Sequence, residues 1–148
     1  MGEERIMATK SATAGKTTKT TELLVITGNE LGAFARMTTP LAKNRINIEC
    51  FSGYEWSGEA AFRIVTDNNR KASELLRREG FNVQENPVVL WTTENTPGQL
   101  DSATVALAEA KVNTYSSYST NTPGSTTTTV AFGTNDADRA SDILRRVR

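Results

Sequence analysis

Histidine is missing from this sequence of 148 residues, and cysteine occurs once, at Cys50. Without histidine the chain lacks the commonest general base and the Ser-His and Cys-His pairs that activate nucleophiles. One cysteine and no histidine also leave no zinc site of the usual ligand types. The composition therefore predicts a protein that is not an enzyme, and no residue pattern calls for a metal or a cofactor.

The chain also lacks an excess of charge and a long apolar segment. Lysine plus arginine and aspartate plus glutamate both number 17, so no net field would draw nucleic acid or an anionic membrane to it. The longest apolar run near the start, Leu23 to Ile26, is far shorter than the roughly 20 residues of a membrane-spanning helix. A single unpaired thiol is typical of a reducing compartment. We therefore expect a cytoplasmic protein with no nucleic-acid or membrane partner.

Residues 1–21 contain mostly Thr, Ala, Lys, Ser and Gly, with almost no large apolar side chain. Such a composition cannot offset the entropy that is lost when a chain becomes ordered. It predicts a disordered N-terminal tail that precedes the folded part.

The rest of the sequence repeats one pattern twice, at a shift of 66 residues that becomes 68 in its second half. The two-residue difference falls at the turn sequence Asn121-Thr122-Pro123-Gly124, which predicts a longer hairpin in the second copy. The first shift pairs Thr27, Asn29, Gly32, Leu41, Ala42 and Asn47 with Thr93, Asn95, Gly98, Leu107, Ala108 and Asn113, and the second pairs Thr66, Ala72, Ser73, Leu76, Arg77 and Arg78 with Thr134, Ala140, Ser141, Leu144, Arg145 and Arg146.

Each copy shows the same order of hydrophobic patterns. A short apolar run of strand length leads through a polar turn to apolar residues that are spaced as on one face of a helix. Two alternating runs then predict strands, and a second helical pattern follows. In the first copy residues 81–83 add a fourth strand, which completes the split βαβ order. The second copy ends after its second helix, so its sheet edge must be bare, covered or paired with another element.

These patterns predict an α+β protein of two tandem ferredoxin-like βαββαβ units, whose antiparallel sheets carry helices on one face. We place the first unit at residues 22–86 and the second, which lacks its own final strand, at residues 87–148. In the second strand of the first unit, the alternation puts Ile46, Ile48 and Cys50 on the covered side. Cys50 is therefore predicted to be a buried and unreactive thiol.

Short motifs at two places in each copy resemble those of ACT domains, in particular the small stand-alone proteins made of two ACT units. The resemblance covers residues 22–148. The second turn is the closer match, because the family usually has proline before the glycine, where the first copy has Leu31. The motifs are the turns Asn29-Glu30-Leu31-Gly32-Ala33-Phe34 and Asn95-Thr96-Pro97-Gly98-Gln99-Leu100, and the strand starts Arg45-Ile46-Asn47-Ile48 and Lys111-Val112-Asn113.

ACT domains as a family are regulatory modules that bind amino acids and similar small ligands, usually where two units lie side by side. The resemblance therefore implies an amino-acid sensor, and together with the missing strand it implies a homodimer. The ligand-binding residues that it suggests are Asn29, Glu30, Leu31, Gly32, Ala33, Phe34, Asn47, Ile48, Asn95, Thr96, Pro97, Gly98, Gln99, Leu100 and Asn113.

The chemistry of the two turns fits a small zwitterionic ligand. A helix start offers unpaired N–H groups and a partial positive charge to a carboxylate. Gly32 and Gly98 would let a ligand approach the backbone closely, and the side-chain amides of Asn29 and Asn95 can accept from an amino group or donate to a carboxylate. Glu30 can pair with a ligand cation. The alternative is that the two asparagines only cap their helices.

Two other functions fit parts of the pattern. RNA-recognition domains share the split βαβ order, but they need exposed aromatic and basic residues on their central strands, where this chain has Glu49, Phe51 and Tyr54 and then mainly Ser and Thr. An assembly module that pairs sheets without a ligand would show similar turns, so that alternative stays open. Phe51 and Tyr54, with Tyr115 and Tyr118, can line a pocket for an aromatic ligand, although we favour packing across a dimer interface.

Overall fold

The computed structural model describes residues 15–148, which form six strands and four helices. The predicted α+β class is confirmed, with two tandem ferredoxin-like units of antiparallel strands and helices on one face. No helix in this described range is long and apolar enough to cross a membrane. In chain order the elements are β1 (Lys16–Gly28), α1 (Ala33–Lys43), β2 (Ile48–Trp56), β3 (Glu59–Thr66), α2 (Asn69–Arg78), β4 (Asn82–Glu94), α3 (Gln99–Glu109), β5 (Thr114–Ser119), β6 (Thr127–Thr134) and α4 (Ala137–Arg145).

The chain divides into two compact units. Unit A comprises residues 21–87, and unit B comprises the described residues 15–20 together with residues 88–148. The division falls inside β1 and inside β4, so each of these 13-residue strands contributes to both units. The strands follow the order β2-β3-β1-β4 in unit A and β1-β4-β6-β5 in unit B.

Apolar side chains on one face of the sheet form the core of unit A. Helix α1 buries Ala33, Met37 and Leu41, which recur every four residues and so lie along one side of the helix. Full burial of a side chain as large as Met37 or Leu41 contributes roughly 1.5–3 kcal/mol to stability. The core consists of Leu23, Val25, Ala33, Met37, Leu41, Ile46, Ala60, Phe62, Ile64, Ala72, Leu76, Phe81 and Val83.

Unit B has its own core, built around a larger aromatic pair. The rings of Trp91 and Phe132 lie 6.3 Å apart in a tilted arrangement, and both side chains are almost completely buried. The core consists of Val89, Trp91, Ala103, Leu107, Val112, Val130, Phe132, Ala140 and Leu144.

The two units repeat each other in backbone detail as well as in sequence. Gly32 and Gly98 precede their helices with φ of 85° and 91°, and Arg45 and Lys111 have φ of 55° and 58° after them. Each second strand also carries an irregularity at the same place, between Ile48 and Cys50 in unit A and between Thr114 and Ser116 in unit B.

The N-terminal part of β1 supplies the fourth strand that the second copy lacks. The N–H of Gly15 donates to the carbonyl oxygen of Thr92 at 2.6 Å. The hydroxyl groups of Thr17 and Ser141 form a hydrogen bond of 2.8 Å. Residues 15–20 are therefore tied to both the sheet and a helix of unit B.

The predicted disordered tail was wrong for residues 16–21, which belong to β1. Lys19 forms an ion pair with Asp138 at 2.7 Å, and this hydrogen bond and the charge of Lys19 lower the pKa of Asp138. Composition misled here because threonine, common in polar tails, is β-branched and favours strands where it can pack against a neighbour. Residues 1–14 of the predicted tail lie outside the described residues.

The predicted placement of Cys50 was also wrong. Ile48 packs against the core of unit A, but the bulge that follows it brings Phe51 to the side of α1, where its ring lies 5.8 Å from that of Phe34. Cys50 is only partly buried. Burial, and next the charge of Glu49, raise the pKa of the Cys50 thiol, so it is protonated at neutral pH.

Ser73 and Ser141 occupy equivalent buried positions in α2 and α4, so they form a matched pair for mutation. Ser141 bonds to Thr17, whereas Ser73 Oγ has no hydrogen-bond partner within residues 15–148. We expect Ser141→Ala to lower the free energy of unfolding by about 1 kcal/mol and Ser73→Ala to be neutral or stabilising. Urea denaturation measures both values, and equal losses at the two positions would contradict the assignment of residues 15–20 to unit B.

Candidate functional site

The first strand-to-helix turn of unit A leaves the start of α1 uncapped. Gly32 is the N-cap residue, with φ of 85° and ψ of 3°, and it has no side chain with which to accept from the first turn. The first helical turn contains no acidic residue. The N–H groups there consequently lack an intrahelical acceptor and carry a partial positive charge.

Asn29 is not the cap of α1, in contrast to the capping alternative raised by the sequence. Its N–H donates to the carbonyl oxygen of Gly58 at 2.9 Å, which ties the turn to the hairpin between β2 and β3. The N–H of Ala33 donates to the carbonyl oxygen of Glu30 at 3.1 Å. A Cβ atom added at Gly32 would meet nothing within 4 Å, so the space beside the turn is open.

A cavity of about 570 Å³ lies in this space, entirely within unit A. The volume falls in the range of roughly 300–1,000 Å³ that is usual for small-molecule sites. All six candidate ligand residues of the first turn line it. The lining consists of Asn29, Glu30, Leu31, Gly32, Ala33, Phe34, Phe51, Gly53, Tyr54, Glu55, Ala60 and Phe62.

Three phenylalanine rings form one side of the cavity. Phe34 stacks on Phe62 with centroids 5.1 Å apart and planes 16° apart, and it also contacts Phe51. Phe62 is buried, but Phe34 and Phe51 are 45% and 58% exposed. Gly53 lies opposite Phe62 in the strand pairing, and a Cβ there would come within 3.0 Å of the Phe62 ring. Glycine at this position therefore makes room for the ring.

The two carboxylates that line the cavity already have partners in the chain. Glu30 Oε1 lies 3.1 Å from Arg36 Nη2, and Glu55 Oε1 accepts a hydrogen bond of 2.7 Å from the N–H of Gly58. Arg36 is held further by Thr27, whose Oγ1 lies 2.7 Å from Nη2. The sequence suggested Glu30 as a partner for a ligand cation, and its carboxylate instead pairs with Arg36.

Tyr54, which lines the cavity, contacts an ion pair beneath it. Arg63 pairs with the fully buried Glu22 and also hydrogen-bonds to Tyr54. Burial lowers the pKa of Arg63, but the charge of Glu22 and the contacts with Tyr54 raise it more, so the net shift is upward. Tyr54 is thereby held beside a group that stays positively charged.

The second turn has the same backbone but different surroundings. Gly98 is the N-cap residue of α3, and Asp101 places a carboxylate in the first helical turn. The side-chain amide of Asn95 donates to the carbonyl oxygen of Ser125 at 3.1 Å, while Gln99 Oε1 accepts from the hydroxyl of Thr93 at 2.8 Å. Two of the candidate side chains are thus engaged in holding unit B together.

The aromatic side chains of the cavity have no counterparts in unit B. Phe51 pairs with Ile64 in unit A, and the equivalent pair in unit B is Ser117 with Phe132. Ser117 therefore takes the place of Phe51. Strand pairing likewise equates Phe62 with Val130, which is apolar but not aromatic. The repeated turn therefore lies beside rings in unit A only. Thr96, Pro97 and Leu100 complete this second turn.

Asn47, Ile48 and Asn113 lie apart from the two turns. Each follows the far end of a helix of 11 residues, which at about 1.5 Å per residue is roughly 16 Å from its start. The N–H of Asn47 donates to Asp67 Oδ1 at 3.0 Å, and Asn113 lines a separate groove of about 360 Å³. The structure does not bring these three residues together with the cavity beside Gly32.

No protein family matches the sequence, and no curated protein sequence matches it either. The fold is similar to that of a protein from Bacteroides thetaiotaomicron, at 22% identity over 87% of this chain and 88% of that chain, with a TM-score of 0.79. It is also similar to the ligand-free regulatory subunit of aspartate kinase from Thermus thermophilus, at 14% identity over 88% and 95% of the two chains, with a TM-score of 0.62.

A third similar structure is the aspartate kinase of Clostridium acetobutylicum, an allosteric enzyme. It is 14% identical with a TM-score of 0.62, and the match covers 95% of this chain but 37% of that enzyme. Each of these similarities covers most of this chain and shows a shared fold.

Arg36 provides a test of what holds the turn in place. We expect Arg36→Met to lower the free energy of unfolding by about 1–2 kcal/mol, because it removes a charge-assisted hydrogen bond to Thr27. The exposed ion pair with Glu30 contributes little by itself. The control is Arg70→Met, at an exposed pair with Glu74, which should stay within about 0.5 kcal/mol of the unchanged protein. Urea denaturation compares them. Similar losses would mean that Arg36 is an ordinary surface residue.

Proposed function

We propose that this chain is a regulatory protein that binds a free amino acid in the cavity beside Gly32. The observation that carries the proposal is the meeting of an uncapped helix start and an apolar cavity of about 570 Å³ in unit A. A free amino acid has a charged end and a side chain, and this arrangement offers a separate environment to each.

The charged end would lie at the start of α1. The N–H groups of Phe34 and Ala35, which have no intrahelical acceptor, can donate to a carboxylate, and the helix dipole favours its negative charge. The first turn of α1 itself has no acidic residue, and of the two carboxylates that line the cavity, Glu30 pairs with Arg36 and Glu55 accepts from Gly58. Asn29 lines the same cavity, and its amide oxygen can accept from the amino group.

The similar structures support a regulatory role. One is the regulatory subunit of aspartate kinase. Another is an allosteric enzyme, and the match covers 37% of its chain. For such a module to regulate, the amino acid must bind more tightly to one of two states, and thereby shift their populations. We further propose that the chain acts in the cytoplasm as a homodimer, as the sequence predicts.

Ligand-free assembly is the second candidate function. Leu31 is fully exposed and Trp56 is 76% exposed. Exposed large apolar side chains mark protein interaction sites when they lie in one patch. Under this alternative the cavity would accept a side chain of a partner, and no free amino acid would stabilise the protein.

Thermal unfolding in the presence of each of the twenty amino acids tests the proposal. A ligand that binds only the folded chain at one hundred times its Kd adds about 2.7 kcal/mol to stability, which raises Tm by several degrees. We expect at least one amino acid to do so. A flat response across the panel would contradict the proposal and leave the assembly function.

A pair of variants locates the binding site. Ala35→Asp introduces at the start of α1 the carboxylate that α3 has at Asp101, and it should weaken amino-acid binding about five- to tenfold. Thr39→Asp adds the same charge one turn later on the exposed side of α1, and it should change affinity less than twofold because the dipole effect fades within the first turn. Calorimetric titration measures both Kd values. Equal weakening would place the carboxylate elsewhere.

A further inference from the structure

We infer that the amino acid bound beside Gly32 carries an aromatic or large aliphatic side chain. This inference rests on the proposed function and narrows its ligand. The ring of Phe34 stacks on Phe62 and contacts Phe51, and the two outer rings remain about half exposed beside open space. An apolar side chain placed there would cover ring surface that the chain itself leaves in water.

The carboxylates with which a cationic side chain could pair in this cavity already have partners within residues 15–148. Of the described residues that line it, only Glu30 and Glu55 are charged. Glu30 is paired with Arg36, and Glu55 accepts from the N–H of Gly58. A lysine side chain would bury its charge beside phenylalanine rings, and the carboxylates within its reach already hold other partners, so its lost hydration would be only partly replaced. Lysine and arginine should therefore bind weakly.

A small hydroxylated side chain gains little from the same surroundings. Threonine or serine would bury little ring surface, and its hydroxyl would lie beside phenylalanine rings that offer no strong acceptor. In an apolar site even one methylene group changes affinity by about 10- to 200-fold. Phenylalanine, which is much larger than threonine, should therefore bind with much higher affinity.

Unit B separates the effect of the turn from that of the rings. Its turn has the same left-handed glycine, but Ser117 and Val130 stand where unit A has Phe51 and Phe62. Asp101 also occupies its first helical turn with a carboxylate. The features that favour an apolar amino acid thus occur together in unit A, and copying the unit B residues into unit A should remove the preference.

Calorimetric titration of the full chain with L-phenylalanine, L-leucine, L-lysine, L-threonine and glycine tests the inference. We expect phenylalanine or leucine to bind at least about tenfold more tightly than the other three. Tighter binding of lysine or threonine would overturn the inference while leaving the proposed function intact. Absence of binding by every amino acid would overturn the proposed function, and this inference with it.

Two variants test whether the rings are responsible. Phe51→Ser copies unit B at an exposed position, so folding should be little affected, and affinity for phenylalanine should fall at least about tenfold. Phe62→Val copies unit B at the stacked ring and should act in the same direction. The control is Trp56→Ser, on the same strand but outside the lining of this cavity, which should leave affinity unchanged. Equal effects of Phe51→Ser and Trp56→Ser, or no effect of Phe51→Ser, would overturn the inference.

Discussion

The left-handed backbone at Gly32 is the constraint on which the site in unit A depends. A φ of 85° is strained for residues with a side chain and easy for glycine. It lets β1 turn into α1 within four residues, and it leaves the helix start without a side-chain cap, facing open space. The open helix start follows from this turn, and the cavity and the stacking of Phe34 on Phe62 also need the rings of the β2-β3 hairpin.

The turn at Gly98 has the same backbone, but its surroundings differ. In unit A the hairpin brings aromatic rings to the helix start, whereas unit B has Ser117 and Val130 at the matching positions. Asp101 adds a negative charge to the first turn of α3. The same turn thus occurs in both units. In unit A it lies beside a cavity lined by aromatic rings, and in unit B its polar side chains form hydrogen bonds within the unit.

The fold was predictable from the sequence because its signals are local and repeated. Residues at a fixed shift, such as Gly32 with Gly98 and Asn47 with Asn113, indicated two units, and the backbone angles and the bulges repeat in step. The error about the N-terminal tail concerned a long-range contact. Thr17 bonds to Ser141 across 124 positions of the chain, and no composition of residues 1–21 could indicate that partner.

The site was only partly predictable: the turn residues line the cavity, but the bulge that turns Phe51 towards Phe34 leaves no clear mark in the sequence. Phe62, opposite a glycine and replaced by valine in the second copy, was a signal that could have been read.

The central claim is that main-chain N–H groups at the start of α1 hold the ligand. The most direct measurement is an NMR titration of the ¹⁵N-labelled chain with the amino acid that gives the largest thermal shift. The amide signals of residues 31–35 should move in proportion to saturation, while those of residues 97–101 stay in place. Unchanged signals at residues 31–35 during saturable binding, or equal changes at both turns, would contradict the account.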